Sequence, residues 1–427
     1  MAKEGNDSAM TEQSYLTLVA RFCGPPSTVV VPCLNKPRIS LKTLKDAVVT
    51  TSLFCDELLL YPEQLSIYKD MAPLLFLTGP PGTGKTLLVQ LMARRWLKDG
   101  KAVHIVSTGS DSRLITKKLS CLLKEDEDCN VHTHFFNFTR KVDQEVEAAV
   151  SELSSRASES PGNELFVIAD EAGPTGHVFG SFCENLHARV PKLHLWAANC
   201  LKNIAPTKWS TKVLTKLLRS PPTVQREIEE AEEFNEGEVD KYDDQHSFPH
   251  HTDGVKVQTF FHSEEHDEEF LQDCLQCGKI LAEFLTEDLR VGKNAPSRKK
   301  DQMTSKSRKI EERQIQYKDV VVLYGDDPPL GLLKGMNDNG IPVKKMESES
   351  DEDAVACRAD KDTDPDSDVV WALDGDRTYS LEWRVVICVG GHEARDEDGR
   401  PAGLAMHDRL HRASRCTSQL AFLVPSP

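Results

Sequence analysis

An α/β fold with two parallel-sheet domains is predicted by three features of this chain. Apolar runs of strand length alternate with helical stretches. A glycine-rich turn joins one such strand directly to a helix. A second buried strand ends in a pair of carboxylates. In residues 61–206 the strand candidates are Leu74–Leu77, Ala102–Val106, His134–Phe138, Glu164–Ala169 and Lys192–Ala197. In residues 255–427 they are Val255–His262, Asp319–Tyr324, Val369–Leu373, Arg384–Val389 and Leu420–Val424. Alternation of this kind builds parallel sheets with helices on both faces.

The glycine-rich turn is Gly79-Pro80-Pro81-Gly82-Thr83-Gly84-Lys85-Thr86, a complete G-x-x-x-x-G-K-[ST] pattern. Leu74-Leu75-Phe76-Leu77 precedes it as a strand, and Leu87–Ala93 follows as a helix. That context makes the pattern a phosphate-binding loop rather than an ordinary turn. Gly82 and Gly84 let successive backbone N–H groups converge on phosphate oxygens, and the helix N-terminus adds partial positive charge. Lys85 reaches the β- and γ-phosphates, and the Thr86 hydroxyl suits Mg²⁺. The second strand, Leu165–Ala169, delivers Asp170 and Glu171. An Asp at such a strand tip holds Mg²⁺, and the adjacent Glu orients or deprotonates an attacking water.

Between and around these motifs the chain is less regular. Residues 1–60 are a lead-in of unclear fold with several prolines. Residues 207–254 are an acidic connector, and 227–244 within them hold ten Asp/Glu against one Lys, a pattern read as solvated. Asp267–Arg290 reads as a helix, and so does Leu404–Arg415. Flexible inserts are expected at 291–315, where Asn294–Lys309 is basic, and at 347–368, which is acidic and Ser-rich.

Whole-chain properties exclude several classes. The 427 residues allow two or three domains. No apolar run approaches the roughly 20 residues of a membrane span, and the polar residues 1–14 are no signal peptide. A cytoplasmic or nuclear protein with no membrane partner is expected. Twelve cysteines without framework spacing read as free thiols. A formal charge of −16 argues against bulk electrostatic coating of nucleic acid and leaves room for a local basic groove.

From the two phosphate motifs onward, the sequence resembles the superfamily 1 helicases of the Rep type and the helicase-like region of the Schlafen proteins. Leu60-Tyr61-Pro62-Glu63-Gln64 is similar to the adenine-reading Q motif, Gln64 offering a donor and an acceptor. Val103–Thr108 is similar to the strand that contacts nucleic-acid backbone. Leu217-Leu218-Arg219-Ser220-Pro221 resembles motif IV, whose Arg meets the γ-phosphate. Ser380-Leu381-Glu382-Trp383 resembles motif V, whose Glu binds ribose. His411-Arg412-Ala413-Ser414-Arg415-Cys416 resembles motif VI, which makes Arg415 the arginine finger. The resemblance implies two RecA-like domains with ATP and Mg²⁺ in the cleft between them. On that reading Gly79–Thr86, Gln64 and Glu382 bind nucleotide. Thr86 and Asp170 hold Mg²⁺, and Glu171, Arg219 and Arg415 carry catalysis. The partners it implies are ATP and single-stranded RNA or DNA.

The sequence also departs from that family. The Gly-Asp-x-x-Gln expected after Leu193–Trp196 is replaced by Ala197-Ala198-Asn199-Cys200-Leu201, and Asn199 is a weak substitute sensor. Leu218 stands where an adenine-stacking aromatic is usual, and Ser380 where a glycine is usual. Neither half has room for a strand-separating insert. An ATPase with poor or no processive unwinding is therefore expected. The competing reading is a regulatory NTP-dependent switch that presents a surface to a protein partner.

Cys274-Leu275-Gln276-Cys277 has metal-ligand spacing. It falls in a stretch read as helix, with no second Cys/His pair at finger-like spacing, so zinc is not expected. His246, His250, His251, His262 and His266 are read as solvated loop histidines.

Overall fold

The computed structural model describes residues 61–124, 130–139, 142–173, 176–207, 209–218, 220–243, 254–263, 265–266, 270–292, 315–325, 327–357, 368–390 and 410–426, plus a two-residue ladder of Thr28–Val29 against Ile39–Ser40. Gln64 lies in helix α1 (Pro62–Asp70), which opens with Pro62 where a backbone N–H has no helical partner anyway. Strand β1 (Leu74–Thr78) then leads into the phosphate loop and helix α2 (Lys85–Lys98). There follow β2 (Val103–Ser107), α3 (Arg113–Leu123), β3 (Val131–Phe135), α4 (Val142–Glu159), β4 (Glu164–Asp170), α5 (Gly176–Arg189), β5 (Lys192–Ala198) and β6 (Ser210–Val213). These six strands form one parallel sheet in the order β3-β2-β4-β5-β1-β6.

The second sheet is built the same way. Helices α6 (Pro222–Glu229) and α7 (Glu232–Asn235) lead to β7 (Gln258–His262) and α8 (Leu275–Glu283), which runs on into a π-helical turn, Phe284–Asp288. Then come β8 (Val320–Tyr324), α9 (Leu330–Asp338), β9 (Val343–Lys345), α10 (Glu349–Ala356), β10 (Val370–Asp374), β11 (Trp383–Val389) and β12 (Cys416–Pro425). The order is β9-β10-β8-β11-β12-β7, again parallel throughout. Two parallel six-stranded sheets wrapped by helices are two RecA-like units.

Both faces of each sheet are covered, which is why the strands read as continuous apolar runs rather than alternating ones. Successive residues of β1 go to opposite cores. Phe76 packs with Phe179 and Leu195 on one face, while Leu75 and Leu77 face Val89 and Met92 on the other. This second core continues without a break into the second sheet through Leu323, Trp371 and Phe422. The domains therefore share buried apolar surface.

Four segments differ from the sequence reading. The strand expected at His134–Phe138 lies at Val131–Phe135, because Phe138 leaves the ladder to pack against Phe182, ring centroids 5.3 Å apart. β6 pairs with β1 and carries the first sheet past residue 206. The acidic connector is not simply solvated: Val224, Ile228, Phe234, Val239 and Tyr242 are buried in the shared core. The Asp267–Arg290 helix begins only at Leu275. Of the expected Leu404–Arg415 helix, only Leu410–Arg415 lies among the described residues, as a helical turn running into a 3₁₀ segment.

The expectation of disorder at 347–368 is corrected over its first half. Ser348 caps α10 by accepting from the Asp351 N–H at 3.2 Å, and the Asp351 carboxylate reaches back to Ser348 N at 3.0 Å. That is a capping box. The helix docks on α3 through charge. Arg113 Nε donates to Glu352 at 2.7 Å and its Nη2 to Glu349 at 2.7 Å. Lys117 Nζ lies 3.1 Å from Glu352 and 2.7 Å from Asp353. Arg377 also pairs with Glu352. The free-thiol reading fails at one pair across this same contact: Cys121 of α3 and Cys357 form a disulfide. Thus α10 clamps the second domain onto the first.

Burial pushes the Glu352 carboxyl up, but the hydrogen bonds from Arg113 and Lys117 outweigh it and hold the group below its ordinary range. A depressed carboxyl stabilises the fold above its unfolded pKa and ceases to as pH falls through the folded value. We expect Glu352→Gln to cost about 2 kcal/mol at neutral pH. The loss should grow when the disulfide is reduced and should shrink at acid pH. Urea denaturation of both proteins at two pH values, with and without reductant, reads this out. Equal midpoints at neutral pH under reducing conditions rule the clamp out.

Candidate nucleotide site

The phosphate loop lies between β1 and α2, and its shape is enforced by its neighbours. Gly79 has φ +126°, and an added Cβ would lie 1.9 Å from the Leu214 carbonyl oxygen. Gly84 caps α2 in the left-handed region, and a Cβ there would meet Leu218 at 2.6 Å. Only glycine fits either position. Backbone bonds from Leu214 N to Thr78 O (2.8 Å) and from Leu218 N to Gly82 O (2.9 Å) lay residues 214–218 over the loop. The Tyr242 hydroxyl donates to Pro81 O at 2.8 Å. Thr83 closes the loop on itself, its hydroxyl donating to Pro80 O at 2.8 Å.

Lys85 is buried and donates to the carbonyls of Gly79 (2.6 Å) and Pro80 (3.0 Å). Burial lowers its pKa, against the opposing pull of Glu171 and Asp170. Asp170 and Glu171 stand at the end of β4, both buried. Burial raises the Asp170 carboxyl first, and the charge of Glu171 raises it further; a hydrogen bond from Thr86 works the other way. Oδ2 of Asp170 and Oε2 of Glu171 are buried without a protein partner.

The second domain reaches into the same place. Ser380 donates to Glu171 Oε1 at 2.6 Å and accepts from the Thr86 hydroxyl at 3.1 Å. This chain joins the phosphate loop, the carboxylate strand and the turn before β11. Both ends of the Ser380 contact are left-handed, Glu171 at φ +49° and Ser380 at φ +57°. Non-glycine residues hold that region at a cost, and such strain concentrates at functional sites. Arg415 is buried beside the cleft, with its Nε donating to His411 O at 2.7 Å and its guanidinium 5.7 Å from the Tyr379 ring centre.

Lys85, Thr86, Glu171, Leu218, Ser380, Glu382 and Arg415 all line one cleft of about 250 Å³ between the sheets. Gly82 and Gly84 form its floor, with Pro81 beside them. Arg219 lies outside the described residues. Gln64 is fully buried and both ends of its amide are engaged: Oε1 accepts from Tyr61 N at 2.9 Å, and Nε2 donates to Thr83 O at 2.7 Å. It braces the phosphate loop, and contact with a base requires trading those bonds. Asn199 is similarly engaged, donating to Ala172 O at 3.1 Å and accepting from Leu201 N at 2.8 Å, so it steadies the turn after Glu171. Cys200 also lines the cleft, and burial pushes its thiol up to about 12, with Glu171 adding to the shift. Such a thiol is not a nucleophile near neutral pH.

Sequence reasoning missed Ser380 as a site residue. It noted the serine only as a lost glycine. The available signal was that a small hydroxyl residue two positions before Glu382 can both take the turn and reach the carboxylate. Tyr242 was hidden in a run whose charge dominated its reading.

Comparison with known proteins gives structural likeness alone. No family model matches the sequence, and no curated protein matches it. Among solved structures, the Mycobacterium smegmatis helicase Lhr, bound to single-stranded DNA and AMP-PNP, aligns with 88% of this chain and 47% of its own, at 11% identity and a TM-score of 0.46. The helicase MrfA, bound to DNA and AMP-PNP, aligns with 95% of this chain and 52% of its own, at 10% identity and a TM-score of 0.46. The chain spans about half the length of each.

Proposed function

We propose that this protein is an ATP-binding P-loop ATPase of the superfamily 1 helicase-like type, with little or no processive unwinding. The observation that carries the reading is the hydrogen-bonded chain Thr86–Ser380–Glu171, which brings the phosphate loop, the strand-end carboxylate and the second domain to one cleft. The order of the sequence motifs supports it, Schlafen-like as well as Rep-like.

A divalent cation fits the residues present. The partnerless oxygens of Asp170 and Glu171, with the Thr86 hydroxyl beside Asp170, are a hard-oxygen donor set. Thr86 and Asp170 would hold Mg²⁺, which would supply neutralisation of phosphate charge when bound. Lys85 exchanges its two backbone carbonyls for phosphate oxygens. The loop amides cradle the phosphates, and Glu382 faces the ribose. Glu171, held by Ser380 through Oε1, offers Oε2 to align the attacking water and accept its proton. Arg415 and Arg219 offset charge on the transferred phosphoryl group. Gln64 acts on base preference through Thr83 and the loop it braces.

A regulatory switch remains the second reading, favoured by the α10 clamp. Two domains held by the Arg113–Glu352 and Lys117–Asp353 pairs and the Cys121–Cys357 disulfide resist the opening and closing that translocation needs. The deciding measurement is steady-state ATP hydrolysis with and without single-stranded RNA and DNA. We expect slow basal turnover that a single strand raises several-fold, with no release of a long strand from a tailed duplex. Turnover indifferent to both nucleic acids leaves the switch. Processive strand release means that the motif lost after Trp196 has been overweighted.

A further inference from the structure

We infer that the second domain carries a structural zinc site formed by His262, His266, Cys274 and Cys277. One ligand atom from each lies within 4.8 Å of all the others. His262 ends β7, His266 is in the loop that follows, Cys274 caps α8 and Cys277 sits in its first turn. The spacing is H-x3-H-x7-C-x2-C. The sequence reading set Cys274 and Cys277 aside for want of a second pair. That pair is His262 and His266, which the end of β7 and its loop fold over the helix start. His246, His250 and His251 lie outside the described residues.

The distances argue for a metal rather than a hydrogen-bonded knot. His266 Nδ1 lies 3.3 Å from His262 Nδ1, 3.2 Å from Cys274 Sγ and 3.5 Å from Cys277 Sγ. His262 Nδ1 lies 3.4 Å from Cys277 Sγ. One ring nitrogen offers a single N–H or a single lone pair, so it cannot satisfy three such neighbours. A tetrahedron with ordinary Zn–N and Zn–S bonds has edges of about 3.3 Å between nitrogens and about 3.6 Å between nitrogen and sulfur. The four contacts are edges of that figure. Two thiolates and two imidazoles in tetrahedral array select zinc over hard cations.

The surroundings fit as well. Both thiols are fully buried. The Cys277 N–H donates to Cys274 Sγ at 3.3 Å, which fixes that sulfur at the helix start. Ser426 fixes the backbone of His262, its N–H and hydroxyl both donating to His262 O, at 3.0 and 2.5 Å. Four protein ligands close the site, so its role is structural. What it positions is the first turn of α8. That helix crosses α9 at glycine contact: a Cβ on Gly278 would lie 2.2 Å from Leu332 O, and one on Gly335 would lie 2.3 Å from Leu275 O. Such a crossing tolerates little displacement.

Cobalt(II) is the probe. The full chain, stripped with a chelator under reducing conditions and titrated with cobalt(II), should take up one equivalent at this site. The intense visible bands of a tetrahedral ion and thiolate-to-cobalt charge transfer should appear, and zinc should displace them. His266→Asn, on a half-buried loop, should fold and yet bind cobalt roughly 100-fold or more weakly, since even outer-shell changes cost 10–100-fold. Cys277→Ser should lose charge-transfer intensity. If Cys277→Ser does not fold, His266→Asn decides. Wild-type protein that gives no tetrahedral cobalt spectrum, or His266→Asn that keeps the wild-type spectrum and affinity, overturns the site.

Discussion

Lys85→Ala is expected to lower ATP affinity by about 3 kcal/mol, on the order of 100-fold, which is the upper range for a hydrogen bond to a charged group. The side chain is already buried and aimed at the mouth of the loop, where it donates to the Gly79 and Pro80 carbonyls. It therefore arrives preorganised, and little side-chain entropy opposes its transfer to phosphate oxygens. The deletion also removes a cation whose charge pulls the buried Asp170 carboxyl down. That raises the Asp170 carboxyl further and weakens any divalent cation at Thr86 and Asp170. Titration of a fluorescent ATP analogue, with and without Mg²⁺, measures both effects. Lys85→Met is the companion variant, since it fills the same space. Wild-type affinity in both would mean that the cleft is not the nucleotide site.

The parts of this site that were legible in the sequence are those whose determinants lie close together in the chain. Gly79–Thr86 needs only its own glycines and the flanking strand and helix. Asp170 and Glu171 need only the apolar strand before them. What escaped was set by partners far away in sequence. Helix α10 has few apolar residues, and its acidic face reads as solvated until Arg113 and Lys117, more than 200 positions earlier, are placed opposite. The His262–Cys277 cluster is split over a strand end, a loop and a helix cap, so no single periodicity contains it. β6 carries Ser, Thr, Lys and Val, all exposed, because it is an edge strand and has no apolar face to betray it. Phe138 misled in the opposite direction: an aromatic in a loop, buried against α5, resembles the end of a strand.

Ser380 is the case where a departure from the expected pattern carried information. The turn before β11 needs a left-handed residue, and serine takes it at some conformational cost. In return its hydroxyl bonds Glu171 at 2.6 Å and holds that side chain toward the second domain. Ser380 holds only Oε1, and Oε2, which has no protein partner, is the oxygen left to take a proton from water. The bond ties the Glu171 carboxylate, the base of the proposed reaction, to the turn that also carries Glu382.

That coupling shapes the second large effect. Glu171→Gln should retain ATP and slow turnover by roughly 10³-fold, because an amide cannot take the proton from the attacking water. Arg415→Ala should also slow turnover by roughly 10³-fold or more, the range of an arginine finger. The two losses arise differently, and their kinetics separate them. In the proposed reaction Glu171 acts on the nucleophile, and the amide of Glu171→Gln still accepts from Ser380, so domain closure and ATP affinity should persist. In the same proposed reaction Arg415 acts on charge that develops late, from the second domain, where its Nε donates to His411 O. Its loss should leave binding intact but blunt any stimulation by a single strand, since stimulation works by bringing that domain home. Single-turnover hydrolysis with limiting ATP, run with and without nucleic acid, distinguishes these outcomes. A variant of Arg415 that keeps both its turnover and its stimulation would remove it from the reaction. The proposed reaction would then draw that charge from Arg219, which follows Leu218 in the sequence.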